Sequence, residues 1–389
     1  MDTHKIFMDF LENSAIFLSM GYARRMILPG GEDCVVHAIS RCVRQAWLCG
    51  RDVGSGKDYE HRRGWVKERI QYLAGVFAVE VCAYAIMSNH SHMVLWCRPS
   101  VAASWSAEEV ARRWLMVFGA HKREWTEQEI AGFAKDDKEI AKWRERLGSV
   151  SWFMRCLNET IARMANKEDG CKGRFWEGRF KSQLLADDGA VLACMAYVDL
   201  NPVRARMVES LEESEFTSAM DRITGKQGRA RMKMIQDDKT QDSRGEEKGQ
   251  ADNHGSGATS KMPMVHTDEL AKARDEAQAD AWLCPMGEAA GRHTVLDISL
   301  DGYLALVEWT GQALRADKRG ALPEGMRPML EQMDLDVVAW VETVREFGRI
   351  YHRVVGKEQR LRENAGVHGQ RWVAGVRSGR GVYREAAVG

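Results

Sequence analysis

Two apolar runs, Val76 to Met87 and His90 to Cys97, stand on either side of the polar pair Ser88-Asn89. Runs of this length, rich in β-branched and aromatic residues, read as strands, and the pair between them supplies a tight turn. The segment is therefore predicted to be a strand pair joined by a tight turn. Side chains alternate faces along a strand, so His90 and His92 point one way and Ser91 the other. Two imidazoles on one face can grip a single divalent ion. Taken alone, such a pair is more often structural than catalytic.

A second segment makes the pair more informative. Asp187 can cap a helix that runs through Leu192, Met195 and Tyr197, and Pro202 disfavours helical geometry in the residue before it, so the helix is expected to stop at Asn201. Tyr197 and Asn201 lie one turn apart and share a face. A phenol and an amide oxygen brought to a histidine-bound ion are the parts of a metal-assisted phosphoryl-transfer site. The bland readings are a core tyrosine and an asparagine that merely stops a helix.

Other elements follow from periodicity. Cys34 to Val43 alternates as a half-buried strand, and Asp58 to Ala74 carries Trp65, Ile70 and Leu73 at helical intervals. Trp105 to Leu147 is dense in charge and helix formers, with acidic first turns at Ala107-Glu108-Glu109 and Thr126-Glu127-Gln128-Glu129. Ser151 to Lys167 reads as a helix ended by Asp169-Gly170, and Phe180 to Leu185 as a strand. Gly225 to Met264 is polar and aperiodic and reads as a flexible linker. Beyond it, Ser299 to Arg315 and Asp336 to Val355 have helical spacing with capping residues in place, which suggests a small helical module. From Thr343 onward ten Lys or Arg face four Glu, a basic tail suited to a phosphate backbone or to simple solubility.

Composition permits this layout without directing it. A chain of 389 residues with 44% hydrophobic content can bury two cores. Its formal charge is zero, so any attraction to nucleic acid must be local. Nine cysteines form no CxxC pair and read as reduced, mostly buried thiols of a cytoplasmic protein. No run approaches the roughly 18 apolar residues a membrane span needs. The apolar Ala15 to Met20 follows Asp9 and Glu12 rather than a basic region, which argues against a secretory signal.

Five blocks now stand in order: Arg25 to Gly30, Val36 to Arg41, His90-Ser91-His92, Gly173 to Ser182, and Tyr197 to Ala205. In this order and spacing, from about Arg24 to Ile223, the chain resembles the REP-associated tyrosine transposases, a branch of the single-tyrosine HUH nucleases. The resemblance implies an α+β fold with a ferredoxin-like or RRM-like antiparallel sheet and flanking helices. The expected layout is an extension over 1–23, a nuclease domain over 24–224 with a helical insertion near 101–149, the disordered linker over 225–264, and a helical accessory domain with its basic tail over 265–389.

It also implies a chemistry. His90, His92 and Asn201 would hold Mg²⁺ or Mn²⁺ with water, and Tyr197 would attack phosphorus to give a 5′-phosphotyrosine and a free 3′-hydroxyl. The substrate would be single-stranded DNA, a palindromic REP hairpin beside a short unpaired guide. Lys172, Arg174, Arg179 and Lys181 flank Phe175 and Trp176, a mixture that fits phosphate neutralisation plus base stacking, and Arg41 and Arg204 would add phosphate contacts. Partners are expected to be hairpin DNA and, as monomer or homodimer, this chain itself, in the cytoplasm and on the nucleoid. The bland reading makes Phe175 and Trp176 core residues and the adjacent bases a solvated loop. His37 reads as structural.

Two positions depart from the family pattern. Ser91 stands where a large apolar residue is usual, and Arg206 where a glycine commonly follows. Neither removes a ligand or the nucleophile, yet both leave a DNA-binding regulator that cuts poorly as the alternative. An amidohydrolase also uses a His-x-His strand, but it needs repeated βα units with later metal-binding histidines, and the region after His92 shows neither repeats nor such strands.

Overall fold

Alternation of Val, His, Ile and Ser builds β1 (Cys34–Arg41), which becomes the middle of a five-stranded sheet. The computed structural model describes residues 28–43, 47–52, 55–119, 123–249, 265–287, 293–315, 325–370 and 383. The expected extension over 1–23, and the tail beyond 370 apart from Tyr383, lie outside these residues. β1 pairs antiparallel with β3 (His90–Cys97) and with β4 (Lys181–Leu185), β2 (Val79–Ile86) pairs antiparallel with β3, and a short β5 (Val354–Val355) runs parallel to β4. The strand order is β2-β3-β1-β4-β5. The expected hairpin is present, its turn at Ser88-Asn89 closed by the Met87 N–H donating to the His90 carbonyl at 2.8 Å.

Register decides what each face carries. Arg41 stands opposite His90, Ile39 opposite His92 and His37 opposite Val94, so these six side chains share one face, and Gln183 joins them from β4 opposite His37. The other face presents Val36, Ala38, Met93 and Leu95 to a core built with α1 (Arg62–Val76). Ser91, where bulk was expected, pairs with Ser40 on that second face and is buried.

The region read as a helical insertion is α2 (Pro99–Ser104), α3 (Ala107–Phe118), α4 (Glu127–Phe133) and α5 (Asp137–Leu147). Ser106, Thr126 and Asp136 cap the last three, Thr126 in a full capping box with Glu129. Trp114 stacks on Phe118 and Trp143, and this aromatic group joins the core that α6 (Val150–Glu168) completes.

On the histidine face lies α7 (Asp188–Asp199), capped by Asp187 through the Ala190 N–H. Every residue from Gly189 to Asp199 is buried, because the sheet covers one side of this helix and the C-terminal helices cover the other. Leu200 leaves helical geometry at φ −87° and ψ 3°, and the chain resumes as a single turn, α8 (Asn201–Arg204), with Pro202 near its start.

Two expectations change here. The polar stretch from Gly225 is helical as far as Gly249, within α9 (Ser218–Gly249), while 250–264 lie outside the described residues. Gly228 serves close packing, since a Cβ there would overlap the backbone of Ala277 at the end of α10 (Val265–Ala277). Arg231 pairs with Glu276 of α10, and Arg229 with Asp280 just past its end.

Nor do the C-terminal helices form a core of their own. α11 (Leu300–Arg315), α12 (Met326–Gln332) and α13 (Val337–Ile350) bury Tyr303, Leu306, Leu330, Trp340 and Phe347 in the same cluster as α7, and α14 (Glu358–Val367) follows β5. The Tyr303 hydroxyl donates to buried Asp199, which also accepts from Ser218 and from the Ala219 N–H at 2.9 Å. Burial holds the Asp199 carboxyl above its ordinary range. Among the described residues no helix is long and apolar enough to cross a membrane.

Candidate active site

The hairpin, β1, α7 and α13 converge on a group of aromatic and imidazole rings. The His90 and His92 rings lie 4.9 Å apart, centroid to centroid and edge to face. The Tyr197 ring lies 5.6 Å from that of His92, also edge to face. Histidine pair and tyrosine, a hundred residues apart in the chain, are thus brought together as the sequence suggested. Arg204, one helical step beyond the tyrosine helix, stacks its guanidinium 4.4 Å from the Tyr197 ring centroid.

Hydrogen bonds orient both histidines. His90 Nδ1 meets the Asn89 side-chain oxygen at 2.6 Å, and His92 Nδ1 meets His37 Nε2 at 2.9 Å. His37 Nδ1 meets Gln183 Oε1 at 2.7 Å, and the Gln183 amide donates to the carbonyls of Tyr351 and His352 at 3.0 and 2.6 Å. Among the described residues, neither His90 Nε2 nor His92 Nε2 makes a hydrogen bond, which leaves one ring nitrogen of each for a ligand.

Burial keeps these rings neutral. It lowers the pKa of His37, fully buried, to about 4, and pushes that of His92 well down, assisted by the neighbouring charges of His90, His37 and Arg204. For half-exposed His90 burial again acts first and Arg41 second, both downward. Neutral imidazole is the form that binds metal.

Asn201 is buried, and neither its amide oxygen nor its amide nitrogen has a hydrogen-bond partner. A buried carboxamide left unsatisfied costs about 1–3 kcal/mol, so its oxygen is a vacant acceptor position of the kind a cation fills. One Arg204 nitrogen is likewise buried without a partner, while the other donates to the Arg345 carbonyl at 2.5 Å. Two imidazole nitrogens and an amide oxygen make a mixed nitrogen and oxygen donor set, able to hold a divalent ion but not selecting one metal. Among the described residues no group of three or more His, Cys, Asp or Glu is arranged as a metal cluster.

Tyr197 is 8% exposed. Phe347 covers its ring at 5.2 Å, and the hydroxyl abuts Gly348 of α13.

The expected DNA contacts divide by burial. Lys172, Arg174 and Arg179 are exposed on the loop before β4, while Arg41 and Lys181 are half-buried beside the histidines, Arg41 at 3.5 Å from Glu177. Burial lowers the Lys181 pKa. Phe175 is 3% exposed and belongs to the core, so it offers no stacking surface, while half-buried Trp176 packs against that core and gives its indole N–H to the Asn158 carbonyl. Aromatic rings between charged residues look alike in sequence whether they face base or core. Sequence reading missed His37, Gln183, Phe347 and Gly348. Strand periodicity had put His37 on a strand, but only register puts it opposite Gln183.

Comparison with known protein families finds no match, and comparison with curated proteins finds none either. Among solved structures, the chain is similar to one described as a REP-associated tyrosine transposase bound to a REP hairpin. The identity is 12%, the match covers 51% of this chain and 82% of the other, and the TM-score is 0.27. At that score the likeness decides neither fold nor function.

Proposed function

We propose that this chain is a metal-dependent endonuclease and strand transferase for single-stranded, hairpin-forming DNA, with Tyr197 as nucleophile. The observation that carries the reading is the approach of the Tyr197 ring to within 5.6 Å of His92, with His90 beside it and both Nε2 atoms unengaged. The four antiparallel strands stand in the order β4-β1-β3-β2, that of a ferredoxin-like sheet, and this supports the implied HUH nuclease domain.

His90, His92 and Asn201 would hold Mg²⁺ or Mn²⁺, which when bound would offset charge on a non-bridging phosphate oxygen and on the leaving alkoxide. Tyr197 forms the O–P bond as the P–O3′ bond breaks. The phenol loses its proton and the departing 3′-oxygen gains one, leaving a 5′-phosphotyrosine and a 3′-hydroxyl. Strand transfer is the same exchange run backward with another 3′ end. Arg204, whose guanidinium lies 4.4 Å from the Tyr197 ring centroid, would supply positive charge for a phosphate held there. Arg41 and Lys181 supply positive charge beside His90, and Lys172, Arg174 and Arg179 extend it along the approaching strand.

The test is incubation with labelled hairpin oligonucleotides and Mn²⁺, comparing the wild type with Tyr197→Phe. A covalent protein–DNA adduct is expected from the wild type alone, and equal adduct from both removes Tyr197 as nucleophile. The burial of Tyr197 beneath Phe347 favours a second reading, a hairpin-binding regulator without cleavage. Tight hairpin binding with no adduct under any metal would select it.

A further inference from the structure

Gln183 starts a chain of assignments. Its amide nitrogen and oxygen differ in role, and their placement is fixed by what surrounds them. One end faces two backbone carbonyls, Tyr351 and His352, at 3.0 and 2.6 Å. Carbonyls only accept, so that end is the NH₂, and the oxygen is the end that faces His37 Nδ1 at 2.7 Å. An amide oxygen also only accepts. His37 Nδ1 therefore carries a proton.

His37 has no exposed surface, and its neighbours Gln183, His92, Tyr197 and Phe347 offer no anion. A second proton on the ring would be an unpaired buried charge, which is strongly disfavoured. His37 Nε2 is then a lone pair, and the 2.9 Å contact with His92 Nδ1 is a hydrogen bond only if His92 donates it. His92 Nδ1 holds the proton, and His92 Nε2 holds the lone pair.

We infer that His37 and Gln183 are positioning residues that lock His92 in its Nδ1–H tautomer and turn its Nε2 lone pair toward the ion site, anchored by the last carbonyls after α13. A histidine free in water favours the opposite tautomer, so the lock selects the minor form and removes the freedom to leave it. The arrangement also explains why the C-terminal segment 337–352 is packed against the histidine face rather than held apart. It supplies the fixed acceptors that decide which end of Gln183 points inward. Asn89 makes a local contact with His90 Nδ1 at 2.6 Å. The tautomer assignment stands without the nuclease reading, whereas its use in holding metal rests on that reading.

The experiment is long-range proton–nitrogen correlation spectroscopy on the metal-free full chain, isotope-labelled at histidine, followed by Mn²⁺ titration. His37 and His92 are expected to show the Nδ1–H pattern, with resonances identified by their loss in His37→Gln. Gln183→Leu removes the acceptor, so His37 turns over to Nε2–H, His92 follows to Nε2–H, and Mn²⁺ affinity falls roughly 10-fold or more. Gln183→Glu keeps an oxygen for His37 and, buried, can carry a proton for a carbonyl. It restores both the Nδ1–H pattern and the affinity. Thermal melts of each variant separate this from loss of fold, because a purely structural role moves stability without moving tautomers. An Nε2–H pattern on His92 in the wild type overturns the inference, as does an unchanged pattern in Gln183→Leu. The Nδ1–H pattern together with no Mn²⁺ binding by the wild type would uphold the lock and overturn the metal reading instead.

Discussion

The hydroxyl of Tyr197 rests against the α-carbon of Gly348, so closely that a Cβ built there would stand 2.7 Å from the phenolic oxygen. Glycine is therefore required at this point of α13 for space, at a helical position where its backbone freedom is a cost. Gly348→Ala is expected to destabilise the protein by about 1–3 kcal/mol, as overpacking does. In a Tyr197→Phe background, which lacks the oxygen, the same change should cost markedly less. Denaturant unfolding of the four proteins measures the coupling, and strict additivity would show the contact to be without consequence.

The unengaged Nε2 of His90 makes a separate prediction. His90→Ala should abolish adduct formation with Mn²⁺ while leaving hairpin affinity within about threefold, because the exposed bases lie on other strands and loops. Gel-shift and adduct assays on one preparation compare the two. Undiminished cleavage would exclude His90 as a ligand.

Acid should weaken the fold through the same histidines. The folded state holds His37 at about 4, whereas the unfolded chain titrates near 6.5, so between these values the unfolded state binds more protons. Stability is thus full above about pH 6.5 and falls as the pH drops toward 4, by on the order of 3 kcal/mol from His37 and more with His92, which is shifted the same way. Unfolding free energies at pH 7 and pH 5 should show the loss, and His37→Gln should flatten it. A flat wild-type profile would contradict neutral burial.

Trp340 probes the union of the two parts of the chain. It is fully buried in the core shared with α7, and its indole N–H donates to Thr310 at 2.8 Å. Trp340→Ala is expected to cost about 3–5 kcal/mol and to shift one common transition. Calorimetry that instead resolved two transitions, with only the smaller one shifted, would restore an independent accessory domain.

Arg174 and Arg179 are exposed and should act as phosphate contacts. Replacing either with Ala should weaken hairpin binding similarly for all sequences and reduce the slope of log affinity against log salt by about one. Phe175→Ala, by contrast, should lower stability, since that ring is core. A change in binding without any change in stability would return Phe175 to the DNA surface.

Local periodicity determined a good deal of this protein. The alternation around Ser88-Asn89, the caps at Asp187 and Asp336, and the break before Pro202 each depend on neighbours a few residues away, and the hairpin and helix starts form there, although the helix expected over Asp336 to Val355 stops at Ile350 and Val354-Val355 pairs with β4 as a strand. His90 and His92 share a face for the same reason. The fate of Gly225 to Gly249 was not legible, because a polar, glycine-bearing stretch reads as linker until a partner helix is seen to need its small residues. Strand register decided the rest. Only the antiparallel offset of β4 on β1 sets Gln183 opposite His37, and only the packing of α13 and the two residues after it brings the Tyr351 and His352 carbonyls to Gln183 and Gly348 to Tyr197. Such meetings join residues more than a hundred positions apart, and a contact of that separation is fixed by packing, which no short stretch of sequence encodes.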